Sequence, residues 1–378
     1  MYDIGTRNGN CSMCYVPGMS AGVDADVVVL RADATAAERA RPSGKVWLWA
    51  ALGLALVGLA VTCWTRWLLS PQATPVDPGP DPYAFGWVIR LTEVISLSVF
   101  AGLLWCTLLR PAYRRRTVTL DGKLFLGGLF ASVLDVLCQM FNPTWAMNAH
   151  SLNLGTWAGQ FPGFAAPQAD RWAWSLGWCM PAYIWLGVGA AIVGCAYLDW
   201  LRGQFRRLPS VVLYAVVLLT FMVVFGCLAT VWNRTGVYTY VSSPNALTLW
   251  AGTTHRLPLT ELLFISSYCL MFTWLRDGRD ANGRCAVDRD VDALTVGAGA
   301  KTLLSTLAVC GWAGFTTLAA YQIPNDWVGM TGGVNSIPVL PSYQQGSIYC
   351  GQPGKPLCPN QYLNQLKHAQ GSAATGGG

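Results

Sequence analysis

Three carboxylic acids stand toward one and the same end of otherwise apolar stretches of this chain: Glu93, Asp135 and Glu261. An ionisable group in such a stretch is costly to bury and marks a functional position by default. Arg90 lies three residues before Glu93, close enough to share a helix face with it. Asp135, Gln139 and Asn142 fall at i, i+4 and i+7, one stripe of an α-helix. That stripe runs into a connection that carries Asn148, His150 and Asn153 between Trp145 and Trp157. Two or three acids, an imidazole and several amides, with no cysteine nucleophile or metal-ligand cluster beside them, suit acid–base work. Burial disfavours the charged form of a carboxyl group, so one acid can keep its proton near neutral pH while a neighbour stays ionised. A protonated acid can drive loss of water from a hemiketal or an alcohol, and a nearby carboxylate can stabilise the cation that develops. Asp135 and Glu261 are the candidates for those two roles, with Glu93 as a third acid and His150 as a proton shuttle. Arg90, Gln139, Asn142, Asn148 and Asn153 would orient substrate oxygens, and Trp145 and Trp157 would supply flat apolar walls.

Plainer readings compete with these. Arg90 and Glu93 can be an ion pair that sets the register of two helices. Asp135 can hydrogen-bond a neighbouring helix, His150 can be a structural donor in a loop, and Glu261 can sit in water near an interface. The functional reading gains from depth, because all of these groups fall at one end of the apolar segments. Within the connection, residues 142–173, the stretch 142–164 has neither helix nor strand periodicity of its own. A connection of that length is functional or disordered, and its aromatic content argues against disorder.

The elements that must position these groups are read from composition. Of the 378 residues, 53% are hydrophobic and 12% charged, about half the usual charged share, and 18 are Trp. These values predict a multi-pass protein of the cell membrane, an all-α helical bundle. Apolar segments at 46–70, 85–109, 124–141, 174–200, 211–232, 257–275 and 298–321 each approach the roughly 20 residues that cross a bilayer. Lys and Arg alternate between the connections: Arg110, Arg114, Arg115, Arg116 and Lys123 crowd 110–123, whereas 71–84 has none and 142–173 has only Arg171. Such residues favour the cytoplasmic side, which predicts seven crossings with the amino terminus inside and the carboxyl terminus outside. The expected organisation is a polar cytoplasmic leader at 1–45, a membrane domain at 46–321 with a long outer loop at 142–173, and an irregular outer tail at 322–378. No cleavable signal peptide is expected, because the first apolar run is too long.

The net charge of +6 is dispersed in short clusters between apolar segments, so it is a topology signal and predicts no nucleic-acid partner. Most of the 13 cysteines lie in apolar segments, where they act as small hydrophobes. Cys350 and Cys358 are disulfide candidates, since the tail is expected outside. Cys11-x-x-Cys14 lacks the second half of a zinc site. No nucleotide-binding glycine motif, zinc-protease pair or nucleophile elbow is present. No metal and no cofactor are expected, and the partners expected are the bilayer and a hydrophobic small molecule.

The run from Phe141-Asn142-Pro143 through Asn148-Ala149-His150-Ser151-Leu152-Asn153 to Gly155-Thr156-Trp157 and Phe161-Pro162-Gly163, set between two membrane segments, resembles the signature region of the AveC-like spirocyclase family. The seven-segment layout over roughly 46–321 is also similar. The resemblance implies a membrane-embedded, cofactor-independent cyclase or dehydratase of secondary metabolism, forming spiroketals in polyketide pathways. A transporter or lipid-binding protein could use the same outward pocket, and a structural subunit of a membrane complex is a third reading. Against transport, the inner half lacks the polar residues that an alternating-access pathway would need, and no inverted repeat is visible.

Overall fold

The computed structural model of the chain describes residues 44–164, 166–331, 339–346, 348–351 and 354–357. The leader with Cys11 and Cys14, and Cys358 in the tail, lie outside the described residues. The fold is mostly helical, with two short strand pairs. Helix α1 is Lys45–Leu68, and α2 is Gly86–Leu103, continued by a π turn Leu104–Leu109 and helical Arg110–Arg115. Helix α3 is Leu120–Ala131, continued by a 3-10 stretch, Ser132–Gln139. Helix α4, Cys179–Ile184, passes through a π turn Trp185–Gly189 into α5, Ala190–Gln204. Then come α6, Ser210–Arg234, and α7, Leu259–Asp277. Helix α8, Ala298–Thr317, runs through a π turn Leu318–Gln322 into α9, Ile323–Thr331.

Five continuous helices among the described residues are long and apolar enough to cross a membrane: Lys45–Leu68, Gly86–Arg114, Cys179–Gln204, Ser210–Arg234 and Ala298–Met330. Their outer faces carry Trp87, Val94, Val211 and Val223, all exposed, as expected for helices that are apolar all round. The other two apolar stretches take different forms. Residues 124–141 change from α to 3-10 geometry at Ser132, and the 257–275 stretch gives the 19-residue helix α7, which carries Glu261, Ser266, Ser267 and Thr273. The last helix runs on to Thr331, beyond Tyr321 and into what composition alone marks as tail.

Small residues set the closest contact in the bundle, between α1 and α8. A methyl group added at Gly53 would stand 1.8 Å from the Leu307 carbonyl oxygen, and one at Gly311 would stand 2.1 Å from that of Trp49. Backbones this close leave room only for glycine, the usual device of membrane helix pairs. Gly53→Val or Gly311→Val is therefore expected to separate the two helices and abolish a monodisperse peak in detergent, whereas Gly58→Val, at a glycine with nothing within 4 Å of that position, should leave it intact. Helix α3 lies against both helices and against α4, where a methyl at Gly128 would come within 2.7 Å of the Tyr183 carbonyl oxygen. That approach brings Tyr183 level with the 3-10 stretch one turn further along α3.

The basic end of the bundle is tied by ion pairs. Arg202 of α5 donates two hydrogen bonds to Asp277 of α7, at 2.7 and 2.6 Å, and Tyr214 of α6 donates to the same carboxylate at 2.6 Å. The contact of Arg202 with its near neighbour Asp199 is longer, at 3.3 Å. Arg276 of α7 donates to Asp121 of α3. Lys123, 3% exposed, meets the fully buried Asp288 at 2.9 Å, and Ser305 of α8 hydrogen-bonds both.

At the opposite end three connections form a cover. Strand β1, Trp145–Met147, pairs antiparallel with β2, Tyr238–Tyr240, in the register Trp145 to Tyr240 and Met147 to Tyr238. Helix α6 delivers β2 through a left-handed turn at Gly236, where Val237 N–H donates to the Trp232 carbonyl and Gly236 N–H to that of Asn233. Only a residue tolerant of positive φ closes a helix in this way. The tail adds a third layer, as the Tyr343 carbonyl accepts from Ala149 N–H and Gln344 donates to the Gly236 carbonyl. Cys350 is buried and disulfide-bonded, while the described cysteines from Cys63 to Cys310 are free.

Candidate functional site

Beneath the cover, at the end of the bundle that holds the acids, lies an aromatic-lined cavity. Asp135 and Glu261 line it together with Tyr183, Tyr268, Tyr321, Tyr238 and Tyr240, and with Trp145, Trp178, Trp185 and Trp232. The aliphatic remainder includes Ala182 of α4, Leu186 of the π turn, Leu228 of α6 and Leu262 of α7.

Each carboxyl group is held by a phenol. Tyr183 donates to Asp135 Oδ1, Cys179 Sγ donates to Oδ2 at 3.2 Å, and Gln322 Nε2 donates to the Tyr183 hydroxyl at 2.6 Å. Tyr321 donates to Glu261 Oε1 at 2.8 Å, and Glu261 Oε2 has no partner within the protein. Tyr268 fixes the Tyr183 backbone by donating to its carbonyl at 3.0 Å. The Tyr238 and Tyr240 hydroxyls meet at 3.0 Å on the cover side. The indole N–H groups of Trp145 and Trp178 are buried and unpaired within the protein. Buried polar groups are almost always paired, so two free donors and a free carboxylate oxygen around one aromatic cavity suit a ligand that carries oxygens.

Helix geometry accounts for the convergence of these groups. Asp135 sits in the 3-10 stretch, Trp185 opens one π turn, and Tyr321 and Gln322 close another. Departures of this kind from the α repeat cluster at functional sites, because they re-aim side chains. The 3-10 geometry also separates the residues expected to share one stripe. At three residues per turn, positions i and i+4 lie about 120° apart. Asp135 faces the cavity, while Gln139 turns to close the chain reversal, donating to the Trp145 carbonyl at 2.6 Å and accepting from Thr144 N–H at 2.8 Å. Asn142 is buried beyond the stretch with both side-chain polar atoms unpaired within the protein.

The remaining sequence candidates stand outside the cavity and tie the cover to the helices. Glu93 accepts from Arg90 and from Leu152 N–H, each at 2.5 Å, and Arg90 also donates to the His150 carbonyl. Asn148 donates to the Gly236 carbonyl and accepts from His150 N–H. Asn153 accepts from Val76 N–H and donates to the Ala149 and Ser151 carbonyls. Trp157 is fully buried, donating to the Val133 carbonyl and packed edge-on against Trp64, Trp67 and Trp174. His150 stacks on Tyr83 with ring centres 5.3 Å apart, and burial, reinforced by Tyr343, holds the Tyr83 phenol well above its ordinary range. Asp135, Trp145 and Glu261 are thus brought to one cavity, and the other candidates are set around it. Sequence reasoning missed the tyrosines, Cys179 and Gln322. Their signal was present: Tyr183, Tyr268 and Tyr321 each interrupt an apolar segment with a hydroxyl that must find a partner when buried.

A family model described as Spirocyclase AveC-like matches residues 114–349. The match contains every residue of the cavity wall named above. No curated protein and no solved structure matches the chain.

Proposed function

Because the chain belongs to the AveC-like spirocyclase family, we propose that the cavity closes a hydrophobic, polyketide- or terpenoid-like dihydroxyketone into a spiroketal by acid–base catalysis. One observation carries this reading: two buried carboxyl groups, each bonded to a tyrosine, face a single aromatic cavity. One substrate hydroxyl adds to the ketone to give a hemiketal. Asp135 in its acid form protonates the hemiketal hydroxyl, which leaves as water. The oxocarbenium ion that remains is stabilised by the Glu261 carboxylate and by the faces of the surrounding rings. The second hydroxyl then attacks, and its proton passes to a carboxylate, so no net proton is consumed. The balance is one dihydroxyketone in, one spiroketal and one water out, with no redox change and no cofactor. Trp145 and Trp178 N–H groups orient substrate oxygens, and the Tyr183–Gln322 pair positions Asp135.

In this reading the chain lies in the cell membrane. The 3-10-extended α3 and helix α7 complete seven crossings, with the amino terminus inside and the cavity near the outer leaflet. The clustering of Arg114, Arg202, Arg206, Arg207, Arg276 and Arg279 in the connections at the other end supports that orientation.

The test uses purified protein in lipid nanodiscs and a synthetic dihydroxyketone with heavy oxygen in the ketone. Cyclisation expels that oxygen as water and gives one spiroketal epimer in excess. A dehydratase would retain the label in the ketone. The same epimer ratio and rate with heat-denatured protein would overturn the proposal, as would substrate flux into proteoliposomes with no product.

A further inference from the structure

On the side between α2 and α6 the cavity is closed by two indoles, and both are latched to α2. Trp185, at the start of its π turn, donates to Ser96 Oγ at 3.0 Å, and Trp232, near the end of α6, donates to Thr92 Oγ1 at 3.1 Å. Thr92 and Ser96 lie one turn apart on the same face of α2, and both are buried. Behind these indoles the surface is not filled. One apolar groove runs past Ile95, Val99 and Leu228, and a second continues past Val99, Leu103 and Phe225 over the small floor of Gly189 and Ala190. Trp185 is a wall of the cavity and of both grooves, while Leu228 and Phe225 each line the cavity and one groove. The two helices that flank the grooves are the least enclosed of the five apolar spans, 22% and 17% buried. Ile95, Val99 and Val224 are exposed on their outer sides.

We propose that the cleft between α2 and α6 is a lateral portal that seats the aliphatic arm of the substrate, with Trp185 and Trp232 as its two leaves. This rests on the cyclase reading and adds what the substrate must carry: a polar ketone head that reaches Asp135 and a long apolar arm that stays in the grooves. The commitment to the substrate's own arm comes from continuity, since the grooves share their walls with the acid-lined cavity. A water-borne polar substrate would find no charged side chain along these grooves, whose polar groups are the hydroxyls of Thr92 and Ser96, engaged by the indoles, of Thr220, which donates to the Val216 carbonyl, and of Tyr197. Hydrogen bonds between neutral groups are weak enough to open and close as the arm passes.

The experiment uses the protein in nanodiscs and a dihydroxyketone whose long alkyl arm ends in a diazirine. After photolysis, labelled peptides are mapped by mass spectrometry. Label is expected within 95–103 and 221–228, and Val99→Trp, which fills the point where the grooves meet, should cut it roughly tenfold or more. Val99 is partly exposed, so the variant is expected to fold, and Val99→Leu provides a milder second filling with a smaller loss. Asp135→Asn should keep the label while losing turnover. Turnover retained in that variant would sink the acid–base reading and leave the portal standing. Label placed elsewhere, label unchanged in Val99→Trp, or label removed by excess phosphatidylcholine lacking any ketone would each overturn the portal.

Discussion

Asp135→Asn is expected to lower turnover about 10²- to 10⁴-fold, the usual contribution of a positioned acid or base, with the protein still monodisperse in detergent. Asparagine keeps the shape of the side chain and its carbonyl oxygen can still accept the Tyr183 hydroxyl, but it cannot deliver a proton. The contrast with Glu261→Gln makes the assignment specific. If Glu261 acts as the stabilising carboxylate, its amide removes a charge from beside the oxocarbenium ion and slows the loss of water that forms it. A mixed ketal that expels p-nitrophenoxide needs no proton on its leaving group, so it should restore turnover in Asp135→Asn but not in Glu261→Gln. Equal rates with it in both variants would show that the two acids do not divide the work in this way. Tyr183→Phe, which removes a hydroxyl from the Asp135 cluster, should reduce turnover less than either.

The second large effect concerns stability at the opposite end. Asp288→Asn leaves the Lys123 ammonium, itself 3% exposed, without its carboxylate. Removing one partner of a buried pair costs about 3–5 kcal/mol, which thermal denaturation in detergent will register as a large fall in Tm. Replacing both residues together, Lys123→Met with Asp288→Leu, should restore much of the loss, because the stranded charge is gone. A small effect of Asp288→Asn alone would mean that water reaches Lys123. The pH dependence has a definite sign. Burial pushes the Asp288 carboxyl up, but the Lys123 ammonium and the Ser305 hydroxyl outweigh it and hold the group below its ordinary value of 3.8. A carboxylate depressed by folding contributes its full stability above pH 3.8 and loses it as the pH falls through the lower folded-state value. The wild-type Tm should therefore fall in acid, and that fall should be blunted in the double variant.

Much of the architecture was readable because hydropathy acts over whole segments. The apolar runs became helices, and Asp135 and Glu261 stood out because an acid is too costly in an apolar run to be there idly. Two kinds of information were not readable. The first is helix type: nothing in the spacing of Asp135, Gln139 and Asn142 signals that the chain tightens to 3-10 at Ser132, and that change sends Gln139 to the chain reversal instead of the cavity. The second is pairing across the sequence. Tyr183 reaches Asp135 from 48 residues away, and Gln322 reaches the Tyr183 hydroxyl from 139. Tyrosine also counts as hydrophobic in composition, so the hydroxyls that hold both acids disappeared into the apolar total. The aromatic connection that carries the family resemblance was conspicuous, yet Asn148, Asn153 and Trp157 spend their polar atoms holding strands and loops together.

The π turn at Leu318–Gln322 makes chain length itself a property of the cavity. A π turn is an α-helix that carries a surplus residue, accommodated by widening one loop of the spiral. Deleting a single residue there would remove the surplus and return the helix to its regular repeat, leaving α9 in register. Tyr321 and Gln322, which lie within the turn, would be re-aimed away from Glu261 and Tyr183, although no lining side chain had been exchanged. Proteins built on this plan can therefore gain or lose a working site through a one-codon insertion or deletion that a tally of substitutions would pass over.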